Sequence, residues 1–509
     1  MDCIPKLMAR FSEKRSRFCH PFITSGLLVF AGVQCAPVMV AQGAAIRLGP
    51  MFSEHMVIQQ EMPVVVTGWT DAAEDVVVEF ATKSAGAKAG ADGSWRVVLP
   101  AMKADGVAHT LTVRGKTVVE LKDVWLGEVW VGAGQSNMGQ PVSGEDAKLA
   151  NLPGLRLFNS SGDTPRLAGM DAVSGWVVCT PESILTCGDG EVKRRAFSEV
   201  GYHFGRRLHE SLKVPVGIIQ QNCGGSTAKD WCPPPADVLA KMPWDQKIQG
   251  ITHKHGLLYQ VRMPGLFPFP VRGVFWYQGE DDGRNAAYAH DLKTVIESWR
   301  TGWGRPELSF YLAQIAQTTY SGGMLGVWTA QQQVMKAMPH TAIAPSNDIY
   351  DDTKNNGYKL RADPVTGWMI AGGGNPHPTG RPLIARRLAD IALVQTYARP
   401  PAPVLAPMYD SHEVRDGKIR VRFQNAYAGL QAADDKALTW FEISDGTDYV
   451  RAQARIVSAD TIEVSSEAVK LPKQVRFSWH TLARHNLVNS GRLPALPFRT
   501  ESLPEKDCK

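Results

Sequence analysis

Hydrophobic and polar residues alternate in short runs between residues 46 and 122. Val76-Val-Val-Glu-Phe80 and Trp95-Arg-Val-Val-Leu99 are examples, and Gly, Asp and Pro separate such runs. Period-two runs rich in β-branched and aromatic residues are typical of strands with one buried face. The pattern therefore predicts an N-terminal β-sandwich domain over residues 46–122.

A different pattern extends from residue 124 to residue 399. Continuous apolar runs, such as Val129-Trp-Val-Gly-Ala133 and Val274-Phe-Trp-Tyr277, alternate with stretches of helical character at 200–212 and 381–397. Fully apolar strands that alternate with helices predict an α/β fold, with a parallel sheet covered on both faces. In such folds the functional residues lie in loops at the carboxyl ends of the strands.

A proline-rich segment, Pro400-Pro-Ala-Pro-Val-Leu-Ala-Pro407, interrupts this pattern and is typical of a stiff linker. Short alternating runs such as Ile419-Arg-Val-Arg-Phe423 follow it and predict a C-terminal β-rich domain over residues 400–500. A chain of 509 residues is too long for one hydrophobic core, which agrees with three domains.

Residues 1–41 predict a cleaved export signal. Basic residues up to Arg17 precede an apolar run at 22–33, which is shorter than the roughly 20 residues that span a bilayer. This segment carries a net charge of +3 and leaves only +2 for the rest of the chain, without a basic stripe that would bind nucleic acid. We expect an exported protein, periplasmic or secreted, that meets the membrane only through this signal.

The cysteines leave the disulfide pattern open. Five of the eight lie beyond the export signal, at Cys179, Cys187, Cys223, Cys232 and Cys508. Export permits disulfides, and the short loops 179–187 and 223–232 are the easiest to close, but buried thiols fit equally well. The chain has no Cys-x-x-Cys or His/Cys cluster, so we predict no metal site.

The most informative motif is Trp130-Val-Gly-Ala-Gly-Gln-Ser-Asn-Met138, in which a serine follows an apolar strand. Its glycines allow a tight turn that lifts Ser136 above the sheet edge, with its own backbone N–H facing the same space. Ser136 is therefore a candidate nucleophile; the alternative is a glycine-rich turn with a serine helix cap. The motif is not G-x-S-x-G, so the α/β-hydrolase elbow does not apply.

Three further groups follow the predicted strands or precede the last helix of this region. Gly224-Gly225 follows the apolar run 216–219, and Gln278 and Glu280 follow the run 273–276. Gln278 offers an amide donor for an oxyanion, and Glu280 is either a histidine-orienting acid or a surface carboxylate. His377, within Asn375-Pro-His-Pro-Thr379, can supply the base that deprotonates a serine.

Together these motifs resemble the sialate O-acetylesterase-like family of SGNH-hydrolase carbohydrate esterases. The resemblance covers nearly all of residues 46–500 and rests on segments 50–59, 129–138, 274–280, 377–378 with 387–389, and 494–500. It implies an SGNH-type flavodoxin-like sheet with flanking β-domains and no cofactor. It also implies Ser136 as nucleophile, His377 as base, and an oxyanion hole completed by Gly225 and Gln278.

The chain departs from the family pattern beside the histidine. The family usually has an aspartate two residues before it, where this chain has Asn375. An amide can hold His377 by a hydrogen bond but cannot carry the negative charge that stabilises an imidazolium. We expect Glu280 to be the acid that pairs with His377 and fixes its tautomer. Asp348 is the second choice, in a segment (346–374) that looks inserted.

The predicted function is a serine esterase that removes O-acetyl groups from a carbohydrate. One alternative keeps the chemistry and changes the substrate to acetylxylan or an acylated bacterial exopolysaccharide. A rival from another class is a catalytically weak carbohydrate-binding or scaffold protein, which Asn375 favours. Asp281-Asp282 stands where the family usually has Ser-Asn, and Gln260-Val261 where it has Asn-Gly, two changes that bear on the substrate pocket.

Overall fold

The computed structural model of the protein describes residues 45–160, 175–187, 196–239, 255–349, 360–364, 366–371 and 375–501. The predicted export signal, residues 1–41, and Cys508 lie outside these ranges. Among the helices that are described, none is both long and apolar enough to cross a bilayer.

The N-terminal region is built from short strands, most of them antiparallel. They are β1 Arg47–Leu48, β2 Val57–Gln59, β3 Val64–Trp69, β4 Asp75–Phe80, β5 Lys83–Lys88, β6 Ser94–Leu99 and β7 His109–Arg114. Strand β3 pairs with β1 and β6, and β4 pairs with β5 and β7. Burial alternates along β4, as the alternating sequence pattern predicted. The next strand, β8 Val118–Gly134, pairs with β7 and continues into the middle of the chain.

The central region alternates strands and helices. Its elements are α1 Ser136–Gly139, α2 Gly144–Lys148, β9 Leu152–Asn159, β10 Val177–Cys179, α3 Ser183–Thr186, α4 Glu199–Leu212, β11 Val216–Asn222, α5 Ala236–Leu239, α6 Leu257–Leu266, β12 Gly273–Tyr277, α7 Tyr288–Gly302, β13 Ser309–Ala313, α8 Leu325–Ala337, β14 Thr341–Ala344, β15 Leu360–Ala362, β16 Met369–Ala371 and α9 Arg381–Gln395. Short 3₁₀ helices lie at Ala228–Trp231, Glu280–Asp282 and Tyr320–Gly322.

The C-terminal region returns to short strands. They are β17 Met408–Arg415, β18 Lys418–Gln424, β19 Leu430–Ala432, β20 Phe441–Ser444, β21 Val450–Arg451, β22 Gln453–Ser458, β23 Thr461–Ser465, β24 Gln474–Phe477, β25 Leu487–Asn489 and β26 Phe498–Arg499. Apolar side chains from these strands, including Ile419, Phe441 and Val475, form a hydrophobic cluster of their own. The boundaries of the three predicted domains stay a prediction.

The central sheet has the strand order β10-β9-β11-β8-β12-β13-β14. Six of these strands are parallel, and β10 pairs with β9 antiparallel. The α/β class is confirmed, but the sheet is mixed instead of wholly parallel. Strands β9 and β11, which follow β8 in the chain, lie on one side of it. Strands β12, β13 and β14 lie on the other side. The carboxyl end of β8 is therefore the switch point where ligands bind in open α/β sheets.

Both faces of the central sheet are covered by helices. Trp276 of β12 lies opposite Ala133 of β8, three residues after Trp130, so the two tryptophans project from opposite faces. Trp130 packs against Phe204 of α4 with ring centroids 5.3 Å apart. Trp276 packs against Trp299 of α7 at 5.7 Å. Burial on both faces explains why these strands are continuously apolar in sequence.

A buried ion pair connects strand β8 to the residue that precedes β12. Glu128 of β8 is only 1% exposed. Its carboxylate accepts hydrogen bonds from the Arg272 guanidinium at 2.7 and 2.9 Å and from Gln59, Gln60 and the Tyr397 hydroxyl. A carboxylate this deeply buried is tolerated because it is paired and fully hydrogen-bonded.

Removing Arg272 would leave that buried carboxylate without its counter-charge. We expect Arg272→Met to lower the free energy of unfolding by about 3–5 kcal/mol, because an uncompensated buried charge is strongly destabilising. Urea denaturation followed by circular dichroism measures the change. Lys148→Met is the control, since its ion pair with Glu145 is exposed and its loss should change stability little. Equal losses in the two variants would contradict the prediction.

Candidate active site

A tight turn at the end of β8 positions Ser136. Gly134 has a φ of +139°, and a Cβ atom there would lie 2.1 Å from the carbonyl oxygen of Tyr277. Only glycine fits at this position. The next residue, Gln135, donates its backbone N–H to the same carbonyl at 3.0 Å, and Ser136 then begins α1. The serine hydroxyl is thus presented at the switch point of the sheet.

His377 lies against this serine. Its Nε2 atom is 2.8 Å from Ser136 Oγ, so the hydroxyl can donate a hydrogen bond to the ring. The backbone N–H of His377 donates to Asn375 Oδ1 at 3.0 Å, so the Asn375 side chain holds the loop backbone and not the ring. Two residues predicted from separate motifs are therefore in direct contact.

The pKa of His377 is shifted downward. Burial of the ring is the main cause, the positive charge of Arg381 acts in the same direction, and the negative charge of Asp281 opposes both. A lowered pKa keeps the imidazole neutral near pH 7, which is the form that accepts a proton from a serine hydroxyl.

Glu280 does not make the expected hydrogen bond to His377. Its buried Oε1 accepts a short hydrogen bond from Asn137 Nδ2, and its Oε2 has no hydrogen-bond partner among the described residues. The same Asn137 nitrogen donates to the carbonyl of Pro376 at 2.8 Å. The Asn137 amide therefore connects the Glu280 carboxylate to the backbone of Pro376, next to His377. The carboxylate does not bond the His377 ring.

Asp348 is also engaged elsewhere. Its two carboxylate oxygens accept hydrogen bonds from the Arg387 guanidinium at 2.7 and 2.6 Å. A bidentate pair with arginine matches both the charge and the geometry of the carboxylate. Asp348 is therefore paired with Arg387 and not with the ring of His377. Residues 350–359, 365 and 372–374 of the segment that looked inserted lie outside the described residues.

Gln278 is fully buried, and its amide nitrogen, which the sequence predicted as an oxyanion donor, already has three acceptors. Nε2 donates to Asp282 Oδ2 at 2.6 Å, to the carbonyl of Ser226 at 3.0 Å and to Gln135 Oε1 at 3.2 Å. The carboxylate of Asp282 is the strongest of these acceptors and orients the amide. Gln278 thus holds the loop after β12 against the turn after β11.

The Gly224-Gly225 turn lies beside the serine. A Cβ atom on Gly224 would be 3.8 Å from Ser136 Cβ, and Gly225 has a φ of +73°. The turn is closed by a hydrogen bond from Ser226 N–H to the carbonyl of Cys223. Within the described part of the chain, the N–H groups of Gly224 and Gly225 have no acceptor. They are available to donate to a bound oxygen.

Comparison with known proteins identifies a family that the chain resembles. Residues 126–372 match the family model described as carbohydrate esterase, sialic acid-specific acetylesterase. The resemblance to sialate O-acetylesterases is confirmed. The matched region contains Ser136, Gly225, Gln278 and Glu280, and it ends before His377.

Individual relatives extend the comparison. Sialate O-acetylesterase of Homo sapiens is 28% identical over 297 residues, which cover 52% of this chain and 54% of that protein. The Rattus norvegicus protein of the same name is 27% identical over 320 residues. The chain thus spans about half the length of the curated relatives it matches. A solved carbohydrate acetylesterase from Xanthomonas citri is 28% identical with a TM-score of 0.76, covering 90% of this chain and 100% of that one.

Three further side chains at this site, Asn137, Asp281 and Tyr320, received no specific role from the sequence. Asn137 is the residue after the nucleophile candidate, and its position inside the 130–138 motif was the available signal. Asp281 accepts hydrogen bonds from Gln135 Nε2 at 2.7 Å and from the Tyr320 hydroxyl at 3.0 Å. Tyr320 is far away in sequence, and no local pattern connects it to Asp281.

Among the described residues, one group of side chains has the spacing of metal ligands. Asp146, Glu199 and His203 have ligand atoms within 4.8 Å of one another. Glu199 is already paired with the Arg381 guanidinium at 2.7 Å, and that positive charge disfavours a cation at the same carboxylate. We assign no metal to this group.

The cysteines that the structure describes are reduced thiols. Cys179, Cys187 and Cys232 are buried, and Cys223 is partly exposed. Burial raises the pKa of Cys179 and Cys187 to about 12, so these thiols stay protonated and unreactive at neutral pH. Neither short loop, 179–187 or 223–232, is closed by a disulfide.

The buried carboxyl group of Glu280 makes stability depend on pH. Burial raises its pKa from 4.5 to about 7, against the opposing hydrogen bond from Asn137. Between these values the native protein holds a proton that the unfolded chain has released, so the free energy of unfolding falls as the pH rises. In Glu280→Gln, the decrease in the free energy of unfolding over this pH range should be smaller by roughly 3 kcal/mol.

Urea midpoints at pH 4.5, 7 and 8.5 measure this effect. Burial also raises the pKa of Asp282 to about 6. The free energy of unfolding should therefore still fall somewhat with pH in both the wild type and Glu280→Gln. Glu297→Gln, at an exposed glutamate paired with Lys293, is the control and should keep the full pH slope. An unchanged slope in Glu280→Gln would exclude Glu280 as its source.

Proposed function

We propose that this protein is a serine esterase that removes O-acetyl groups from carbohydrate. The observation that carries the proposal is the 2.8 Å contact between Ser136 Oγ and His377 Nε2 at the carboxyl end of β8. A hydroxyl hydrogen-bonded to a neutral imidazole at the mouth of an α/β sheet is the arrangement that acyl transfer requires.

The proposed mechanism has two steps. Ser136 Oγ attacks the ester carbonyl while His377 Nε2 takes its proton, and the proton then passes to the departing sugar hydroxyl. Water, deprotonated by the same ring, releases acetate from the acyl-enzyme. The backbone N–H groups of Ser136 and Gly225 stabilise the tetrahedral oxyanion, since neither is committed to an acceptor among the described residues.

In this proposal Glu280 and Gln278 act as supports. Glu280 holds Asn137, which in turn holds the backbone before His377. Gln278 braces the turn that carries Gly225 through its bond to the carbonyl of Ser226. Both side chains keep reacting groups in place without contacting the ester.

The carbohydrate assignment rests on the comparisons. The matching family model and the relatives are named for sialic acid-specific and carbohydrate acetylesterases. An O-acetylated sugar is therefore the proposed substrate class. Acetate release from acetylated sialate, xylan and exopolysaccharide, compared side by side, separates the substrates that the sequence left open.

Strand order supports the finer fold assignment. Without β9 and β10, the parallel strands of the central sheet have the order β11-β8-β12-β13-β14. This is the second-first-third-fourth-fifth order of flavodoxin-like folds. We propose an SGNH-type sheet flanked by β-sandwich domains at residues 46–122 and 400–500.

We also propose that residues 1–41 direct export and are removed, which would place the mature protein in the periplasm or outside the cell. The basis is the basic segment followed by a short apolar run. N-terminal sequencing of exported material should find a start between residues 36 and 46. Material that keeps Met1 and stays in a membrane fraction would contradict this proposal.

Ser136→Ala should abolish acetate release from an aryl acetate and leave the thermal unfolding curve unchanged. Losing one partly exposed hydroxyl removes the nucleophile but little packing. His377→Ala should be as severe, because residues that act as a unit lose function together. Ser143→Ala is the matched control: the hydroxyl of this serine caps α2 through Asp146, so the variant should keep its activity. Turnover by folded Ser136→Ala at the normal rate would remove Ser136 from the mechanism.

A further inference from the structure

The imidazole ring of His377 has no carboxylate hydrogen-bonded to it among the described residues. When Ser136 attacks, the ring takes a proton and becomes a cation in a half-buried site. A half-buried cation is less well solvated than an exposed one, so a nearby fixed negative charge lowers the barrier. Among the described residues, this charge can come only from an acid that does not touch the ring.

Three other acids around the site, Glu280, Glu199 and Asp282, have hydrogen-bond or ion-pair partners that fix them away from the ring of His377. Glu280 is bonded to Asn137, and Glu199 is paired with Arg381 at 2.7 Å. Asp282 accepts hydrogen bonds from Gln278 and Asn285 and from the backbone of residue 228. Burial also raises the pKa of Glu280 to about 7, so part of its negative charge is lost near neutral pH.

Asp281 is partly exposed, whereas Glu280 and Asp282 are buried. Its two oxygens accept hydrogen bonds from Gln135 Nε2 at 2.7 Å and the Tyr320 hydroxyl at 3.0 Å. In the described part of the chain it forms no ion pair with Lys, Arg or His. Gln135 directly precedes Ser136, which bonds His377, so the Asp281 carboxylate is held against the same turn as the reacting pair.

Two charged groups of the described structure act on the pKa of His377. Arg381 of α9 contributes a positive charge that Glu199 partly offsets, and Ser136 of α1 contributes a neutral hydroxyl. Asp281 of the 3₁₀ helix Glu280–Asp282 contributes a negative charge, which acts to raise the pKa of His377.

We infer that Asp281 is a positioning residue of the proposed esterase, whose negative charge stabilises the His377 imidazolium through space. It acts in place of an acid bonded to the ring. The inference rests on the proposed function, but its central quantity, the proton affinity of His377, exists with or without turnover.

The decisive variant is Asp281→Asn, which keeps the shape and loses the charge. The pKa of His377, followed by NMR titration of its ring signal, should fall by roughly one unit. The same loss of imidazolium stabilisation should lower kcat on an aryl acetate about tenfold with KM nearly unchanged, because one pKa unit corresponds to a factor of ten. The acid limb of the activity profile should move to lower pH.

Two companion variants separate charge from structure. Tyr320→Phe removes one hydrogen bond to Asp281 but leaves the carboxylate, so it should keep the wild-type titration of His377. Adding Asn375→Asp to Asp281→Asn places a new carboxylate two residues before His377 and should restore the pKa and most of kcat. The new carboxylate can also accept the backbone hydrogen bond that the Asn375 side chain now accepts.

The outcomes are distinguishable. An unchanged His377 titration in folded Asp281→Asn would overturn the inference, whatever the activity. A shift of equal size in Tyr320→Phe would also overturn it, because the effect would then come from the loop and not from the charge. If Asp281→Asn does not fold, Asp281→Glu decides: the inference requires a titration close to that of the wild type. Absence of Ser136-dependent turnover in the wild-type protein would instead count against the proposed function.

Discussion

The site depends on a close approach between two backbones, at Gly134 and Tyr277. A side chain at position 134 would overlap the Tyr277 carbonyl, so the absence of a Cβ atom lets β8 and β12 stay paired to their last residues. The segments that leave these two strands, 135–137 and 278–282, consequently begin side by side. Their polar side chains can therefore bond one another, as Asn137 does with Glu280.

Buried polar side chains of the two segments form a set of connected hydrogen bonds, called here the brace. Asn137 joins Glu280 to the backbone of Pro376, and Gln278 joins Asp282 to the backbone of Ser226. Buried polar groups are costly unless they are hydrogen-bonded, and these bonds offset part of the cost of burying the four side chains. The brace fixes the loop before His377 and the turn at Gly225 relative to Ser136.

Much of the fold is predictable because burial leaves a local pattern in the sequence. The continuous apolar runs around Trp130 and Trp276 predicted strands covered on both faces, and the packing of Phe204 and Trp299 on opposite faces explains that pattern. Strand β10 is different. It is three residues long, and its antiparallel direction depends on how the chain returns to the sheet edge, which its side chains do not encode.

The sequence by itself determined that a serine follows β8 and that a histidine precedes α9, because glycine turns and helix starts are local features. It also identified the acids and amides near the strand ends. Only the tertiary structure decided what each of them does. Glu280 bonds Asn137, Asp348 bonds Arg387, and Gln278 turns toward Asp282. The physical reason is that a carboxylate or amide can bond any donor or acceptor within about 3 Å, and residues distant in the sequence supply those partners.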